Sequence, residues 1–214
     1  MYQPPHFIET DRDTLHALMR AHPLGLLISA TAEGPVADPV PFLLDADIGP
    51  NGRLRAHVAR ANPQWKLIAS QPNMPVLVVF QGADSYITPS WYATKRETGK
   101  VVPTWNYATV QARGRARVIE DAEWIGRQVA ELTGRHESGR AQPWAVTDAP
   151  PAFIAAQLKG IVGIEIMIDE LHGKWKVNQN RPAADRAGVA EGLAADASGP
   201  VEMASLVRRF GGLG

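Results

Sequence analysis

The chain has no cysteine. Disulfides, thiolate nucleophiles, iron–sulfur clusters and cysteine zinc sites are therefore excluded. It also has no net charge, with 22 Lys and Arg set against 22 Asp and Glu. A protein whose main task is to grip the DNA backbone carries a positive surplus. DNA contact here is thus expected to be confined to a local patch. No apolar run approaches the ~20 residues of a membrane helix, and "PVLVVF" is among the longest. The opening residues, "MYQPPHFIETDRD", lack the basic-then-apolar order of a secretory signal. A cytoplasmic protein with no membrane segment is expected. Short catalytic and phosphate-binding motifs are missing too: there is no P-loop, no Gly-x-Gly-x-x-Gly after a strand and no Gly-x-Ser-x-Gly elbow. No pair among the six histidines has metal-ligand helical spacing beside a carboxylate, so no metal is expected.

Turn-forming residues, by contrast, are plentiful. The 19 glycines and 17 prolines exceed their usual combined share of about 12%. Many turns between short strands would explain this excess. A hydrophobic fraction of 45% is enough for one packed core with appendages.

Periodicity places the elements. Residues 11–22, "DRDTLHALMRAH", read as a helix capped by Asp11 or Asp13. Residues 24–44 read as a hairpin turning at "AEGP", with Pro39 and Pro41 marking an edge or bulged strand. "RLRAHVA" alternates, with Leu54, Ala56 and Val58 on one face. A short helix is expected over 63–71. "MPVLVVF" reads as a strand covered on both faces, and residues 85–107 as a loop with room for a short helix after Pro89. "ATVQARGRARVI" is a long strand, and residues 121–137 form a helix capped by Asp121 with Gly134 at its end. A short helix follows in "PPAFIAAQLKG". "IVGIEIMID" is expected to be a strand, with "GKWKVNQN" pairing back across "ELHG". Two helices close the chain, in "RPAADRAGVAEGLAA" and "GPVEMASLVRRFGG". Strands and helices do not alternate regularly, so a doubly wound parallel sheet is disfavoured. The expectation is a barrel of six to seven mostly antiparallel strands with peripheral helices. It occupies residues 1–180 and is followed by a helical C-terminal extension over 181–214.

Four stretches stand out chemically. In "HVARANPQWK", Asn62 suits an N-cap and Pro63 a first helical position. The helix start offers an anion site with Lys66 within a turn of it, although an ordinary capped helix explains the same residues. In "VPTWNYATVQARG", Trp105, Asn106 and Tyr107 offer flat faces and amide hydrogen bonds, and they suit a loop plug or a dimer contact equally well. Arg113, Arg115 and Arg117 share a strand face. That face reads as solvated, with Glu120, Asp121 and Glu123 near enough in sequence to neutralise it. "VNQNRPAADRAGVAEGL" brings Gln179 and Arg181 to a helix start, as ligand groups or as part of a docked tail.

Taken in order, "MYQPPHF", "HVARANPQWK", "VLVVFQGADSYITPSWY", "VPTWNYATVQARG" and "NQNRPAADRAGVAEGL" make the chain resemble the PaiB family, FMN-binding negative transcriptional regulators, from Met1 to about Leu193. The resemblance implies a split β-barrel like that of the pyridoxamine-phosphate oxidases, working as a homodimer with FMN at the subunit interface. It implies phosphate contacts at the strand–helix junction, from His57, Val58, Asn62 and Lys66. Ring contacts are implied for Asn106, Tyr107 and Thr109, with Trp105 beside them, and Gln179 and Arg181 would reach the partner's flavin. Related oxidases place a phosphate-clamping arginine in their second strand, where this chain reads "VADPVPF" with no basic residue. The expected function is repression of transcription, directly on DNA or through a partner. The alternative on the same scaffold is a flavin-dependent oxidoreductase or a haem-handling protein, in which His57 and Tyr107 are the evident acid–base groups.

Overall fold

A computed structural model of the chain describes residues 1–196 and 201–213. Among them are eight strands and seven helices. The elements that matter below are β1 (Ile8–Glu9), α1 (Arg12–Ala21), β2 (Leu24–Thr31), β3 (Gly34–Pro41), β4 (Leu43–Asp45), β5 (Arg53–Ala59), α2 (Gln64–Ser70), β6 (Met74–Ile87), α3 (Ala93–Thr98), β7 (Thr104–Ile119), α4 (Ala122–Glu137), α5 (Pro151–Lys159), β8 (Ile161–Lys176), α6 (Ala183–Ala195) and α7 (Val201–Phe210). The strands form one antiparallel sheet in the order β3-β2-β6-β7-β8-β5-β4, with β1 on β8. The order does not close on itself, and β3, which carries Pro39 and Pro41, lies at one end where prolines are tolerated. This is a split-barrel fold. Residues Gly199 and Pro200, which begin the last expected helical segment, lie outside the described residues, as does Gly214.

Two compact units share the chain. The first comprises Met1–Leu18, Gln81–Val110 and His172–Gly214, and the second comprises Met19–Phe80 and Gln111–Leu171. In the first unit, Asp11 caps α1 by accepting the Thr14 N–H at 2.8 Å. A core of Ile87, Tyr92, Val177, Val189, Leu193 and Met203 gathers residues of α6 and α7 against the start of α3. In the second unit, Leu27, Leu54, Ala56, Val78, Phe80, Ile164 and Ile166 are fully buried. The alternation read in "RLRAHVA" is present, with Leu54, Ala56 and Val58 inward and Arg53, Arg55 and His57 half-exposed. Asp121 caps α4, its Oδ1 accepting the Trp124 N–H at 2.6 Å.

Several boundaries differ from the sequence reading, each for a physical reason. "ELHG" is not a turn, because β8 runs unbroken from Ile161 to Lys176. Gly173 serves close packing there: a Cβ on it would lie 2.1 Å from Leu15 Cδ2 and 2.9 Å from the Glu9 carbonyl oxygen. Trp105, Asn106 and Tyr107 sit inside β7 rather than in a loop before it. "MPVLVVF" alternates buried and half-exposed residues, and its strand continues to Ile87. Helix α4 passes Gly134 and ends at Glu137. Helix α2 starts at Gln64, one residue later than expected, so Pro63 takes the N-cap position and Asn62 stands just ahead of it, its Oδ1 accepting the Gln64 N–H at 2.8 Å. Arg113, Arg115 and Arg117 do share an exposed face. Their neutralising partners are on β8, with Arg115 3.4 Å from Asp169 and Arg117 2.5 Å from Glu165. Glu120, Asp121 and Glu123 are engaged elsewhere, with Arg60, the α4 cap and Arg127 respectively.

A charge network in the second unit has a pH consequence. Asp45 bonds Arg55 at 2.7 Å and Arg53 at 2.7 Å, and nearly buried Glu165 bonds Arg53 at 3.0 Å. Burial pushes the Asp45 carboxyl up, but hydrogen bonds from Arg55 and Arg53 outweigh it and leave its pKa below the ordinary 3.8. A carboxylate with a depressed folded-state pKa contributes stability that is complete above its unfolded value and is lost as pH falls through the folded one. Urea midpoints are therefore expected to drop steeply below about pH 4. Asp45→Asn should flatten that drop and lower the midpoint at neutral pH.

Candidate functional site

The sequence-predicted residues divide between the two units. His57, Val58, Asn62 and Lys66 lie in the second, and Trp105, Asn106, Tyr107, Thr109, Gln179 and Arg181 lie in the first.

In the second unit, β5 sets the facing of the first group. Val58 points into the core and is 6% exposed. His57 faces the other way, and its Nδ1 is 2.7 Å from Gln128 Oε1 on α4. The Asn62 amide is spent on local structure, its Oδ1 accepting the Gln64 N–H at the start of α2 and its Nδ2 donating to Asp38 Oδ2 at 2.9 Å. Asp38 belongs to "VADPVPF", so an acidic side chain stands in the strand where related oxidases place their arginine. Lys66 is exposed, with Nζ 5.9 Å from the Trp65 ring. Helix α2 is only seven residues long.

The first unit holds a denser constellation. Strand β7 alternates so that Trp105 is 55% exposed, Asn106 is fully buried, Tyr107 is half-buried and Thr109 is nearly buried. Asn106 donates from Nδ2 to Asn178 Oδ1 at 2.5 Å, and Asn178 donates from Nδ2 to the Tyr92 hydroxyl at 3.1 Å. Asn178 adopts φ 67°, a left-handed conformation that asparagine tolerates better than most residues. The turn this creates brings the Arg181 N–H to the Asn178 carbonyl at 2.9 Å and sets the Arg181 guanidinium 4.9 Å over the Tyr92 ring. Gln179 is committed to the backbone, accepting from the Val177 N–H at 2.8 Å and donating to the Trp175 carbonyl at 2.5 Å.

The neighbouring strand supplies two lysines that the sequence reading passed over. Lys174 and Lys176 share one face of β8. Lys174 is 7% exposed and donates to the Tyr2 carbonyl at 3.0 Å. Its Nζ lies 5.4 Å from the Tyr2 ring and 5.4 Å from the Tyr107 ring. Lys176 donates to Thr104 Oγ1 and to the Trp105 carbonyl. Among the described residues no carboxylate pairs with Lys174, Lys176 or Arg181. Burial, followed by the charges of Lys174 and Arg181, holds the Lys176 ammonium below its ordinary pKa.

These groups border a cavity of about 170 Å³. Lys176, Arg181, Asn178 and Asn180 form its polar side, and Phe7, Val102 and Pro103 its apolar side. Asn106 reaches the cavity as well, and its buried Oδ1 has no hydrogen-bond partner. Buried polar atoms are almost always paired, so an orphan in a cavity wall marks a place for a ligand or water donor. Cations without counter-ions and an unspent amide fit a ligand that is anionic in one part and hydrogen-bonding in another. A signal for the lysines was present in the sequence: "KWKV" alternates two cations with two apolar residues just ahead of the amide run.

A family described as "Putative FMN-binding domain" matches residues 1–170. The chain belongs to this family. An uncharacterised protein of Emericella nidulans is 37% identical over 90% of this chain and 90% of its own length. The protease synthase and sporulation protein PAI 2 of Bacillus subtilis is 29% identical over 90% of this chain and 89% of its own length. The resemblance to PaiB therefore extends over most of the sequence. Among solved structures, the FAD and haem binding protein from Mycobacterium smegmatis superposes with a TM-score of 0.57 at 20% identity, covering 79% of this chain and 73% of that one. The fold is thus the flavin-binding split barrel. Among the described residues, no helix is long and apolar enough to cross a membrane.

Proposed function

We propose that the chain binds FMN and acts as a dimeric regulator of the PaiB type. The observation that carries the cofactor reading is the cavity of the first unit. Lys176 and Arg181 stand at its wall without a counter-ion, and the buried Asn106 Oδ1 stands beside them without a donor. Lys176 and Arg181 suit the phosphate, with Lys174 adding its field from behind Tyr107. The Asn106 carbonyl suits an N–H or O–H of the bound molecule. When bound, a flavin would supply redox or light-absorbing chemistry, while these residues supply orientation and charge. At about 170 Å³ the cavity is smaller than the ~300–1,000 Å³ typical of whole-ligand pockets. In the homodimer reading, a second copy of the chain would supply the remaining surface. The regulatory role rests on the resemblance to PaiB and on the 29% identity to the sporulation protein of Bacillus subtilis. With zero net charge, repression through a protein partner is favoured over broad contact with the DNA backbone.

Comparing FMN with riboflavin tests the phosphate assignment. FMN is expected to bind at least about tenfold more tightly, the advantage shrinking as salt is raised. Equal affinities would remove the phosphate from this cavity.

A further inference from the structure

The second unit contains another cavity, of about 220 Å³, that the flavin reading does not use. Its wall is made by Val129 of α4, by Ile154 and Leu158 of α5, and by Ile161 at the start of β8. Trp144 and Val146, from the segment between the two helices, complete the apolar lining. No lysine, arginine or carboxylate borders it; Gln157 and His57 are its polar members.

Helix α5 packs in an unusual way. Its sequence, "PAFIAAQLK", is mostly apolar, yet none of its residues is buried, and Phe153 is 55% exposed. The helix is tied down at its C-terminal end, where the Arg60 N–H donates to the Gly160 carbonyl at 2.7 Å and Arg60 Nε to the Lys159 carbonyl at 3.2 Å. Trp144 is similarly placed, 46% exposed, with its backbone N–H bound to Glu137 Oε2 at 3.0 Å. An apolar helix and a tryptophan thus roof a space that the chain's own side chains leave unfilled.

His57 gives that space a polar point. Gln128 Oε1 can only accept, so His57 Nδ1 donates to it, and the neutral form of the ring then carries its lone pair on Nε2. Nε2 makes no hydrogen bond among the described residues. Gln128, itself fully buried, fixes the ring and has an unpartnered Nε2 of its own.

We propose that this cavity is a second binding site, taking a neutral aromatic molecule of one or two rings that carries one N–H or O–H donor. Size sets the first condition, because a cavity of about 150 Å³ holds benzene. The absence of charged lining residues sets neutrality, since an unpaired ion would be desolvated there without compensation. Trp144 favours a flat partner. The lone pair on His57 Nε2 calls for a donor. A molecule seated here would cover Trp144 and the underside of α5, ordering the segment between α4 and α5 in a protein read above as a regulator.

The test uses the full-length, FMN-loaded protein with indole as probe, followed by ligand-observed NMR and calorimetry. Indole is expected to bind, and 1-methylindole, which lacks the donor, to bind about tenfold more weakly or worse. Benzoate, charged at neutral pH, is expected not to bind. Leu158→Trp and, separately, Ile154→Trp fill the cavity and should abolish indole binding while leaving FMN affinity unchanged. Retention of indole binding by both variants, equal affinity for indole and 1-methylindole, or no binding up to the solubility limit of indole would overturn the proposal. Loss of FMN together with indole would assign the indole to the flavin site and overturn it as well. If FMN fails to bind at all, the same indole titrations on the flavin-free chain still decide this site.

Discussion

Replacing Lys176 by methionine is expected to weaken FMN binding by roughly 10- to 100-fold, the loss of one charge-assisted hydrogen bond to phosphate. Methionine keeps the packing of the stem and removes the charge, together with the hydrogen bonds to Thr104 and the Trp105 carbonyl. The size of the effect follows from the setting. Lys176 has no carboxylate partner among the described residues, and its ammonium is held below its usual pKa by burial and by Lys174 and Arg181. An arriving dianion reverses that strain, so binding should take up protons at alkaline pH and weaken as the free Lys176 titrates. A solvated surface lysine behaves otherwise, costing little when removed and showing no coupled proton uptake. Arg181→Ala should act in the same direction, and Arg113→Ala, an exposed residue of the second unit, should not. If Lys176→Met binds FMN as tightly as the parent at low salt, Lys176 is not a phosphate ligand.

The second large effect concerns stability. Gly114→Ala is expected to cost about 3 kcal/mol and to lower the melting temperature by about 6–12 °C. Gly114 lies in the middle of β7, where a Cβ would stand 2.2 Å from the Met167 carbonyl oxygen and 2.8 Å from Ile166 Cγ2. The first of these is a backbone atom, which no rotamer change can move aside, so β7 and β8 would have to part locally. At Gly126 the nearest atom to an added Cβ is Leu158 Cδ1 at 3.8 Å, so Gly126→Ala is the matched control and should be neutral or mildly stabilising. Thermal scans of the two variants check this directly. Equal melting temperatures would mean that the sheet at Gly114 yields more easily than its geometry shows.

These residues also show how far the fold could be read from sequence. The alternation of Leu54, Ala56 and Val58 and the Asp121 cap of α4 were legible because each depends on a few neighbouring positions. Gly173 was misread because a glycine looks the same to its neighbours in a turn and in a close approach. Only the position of Leu15 and Glu9, more than 150 residues away, separates the two. Helix-start chemistry drew attention to Asn62, whose amide in fact serves Gln64 and Asp38.

The candidate site was legible in part. Asn106 and Arg181 were singled out from composition and border one cavity. The pairing of Asn106 with Asn178, 72 residues apart, has no local signature. Lys174 and Lys176 drew no attention because a turn expected at "ELHG" made "GKWKVNQN" look like a separate return strand. In the continuous β8 they face Tyr107 instead.

The central claim is that this chain holds FMN through an uncompensated cationic cavity. Its most direct test is to load the purified protein with FMN, remove free ligand by gel filtration and read the absorption spectrum of the protein fraction at low and high salt. The account predicts a flavin spectrum at about one FMN per chain in a fraction of dimer size, lost progressively as salt rises. A colourless protein fraction at low salt, with all the FMN in the small-molecule volume, would contradict it.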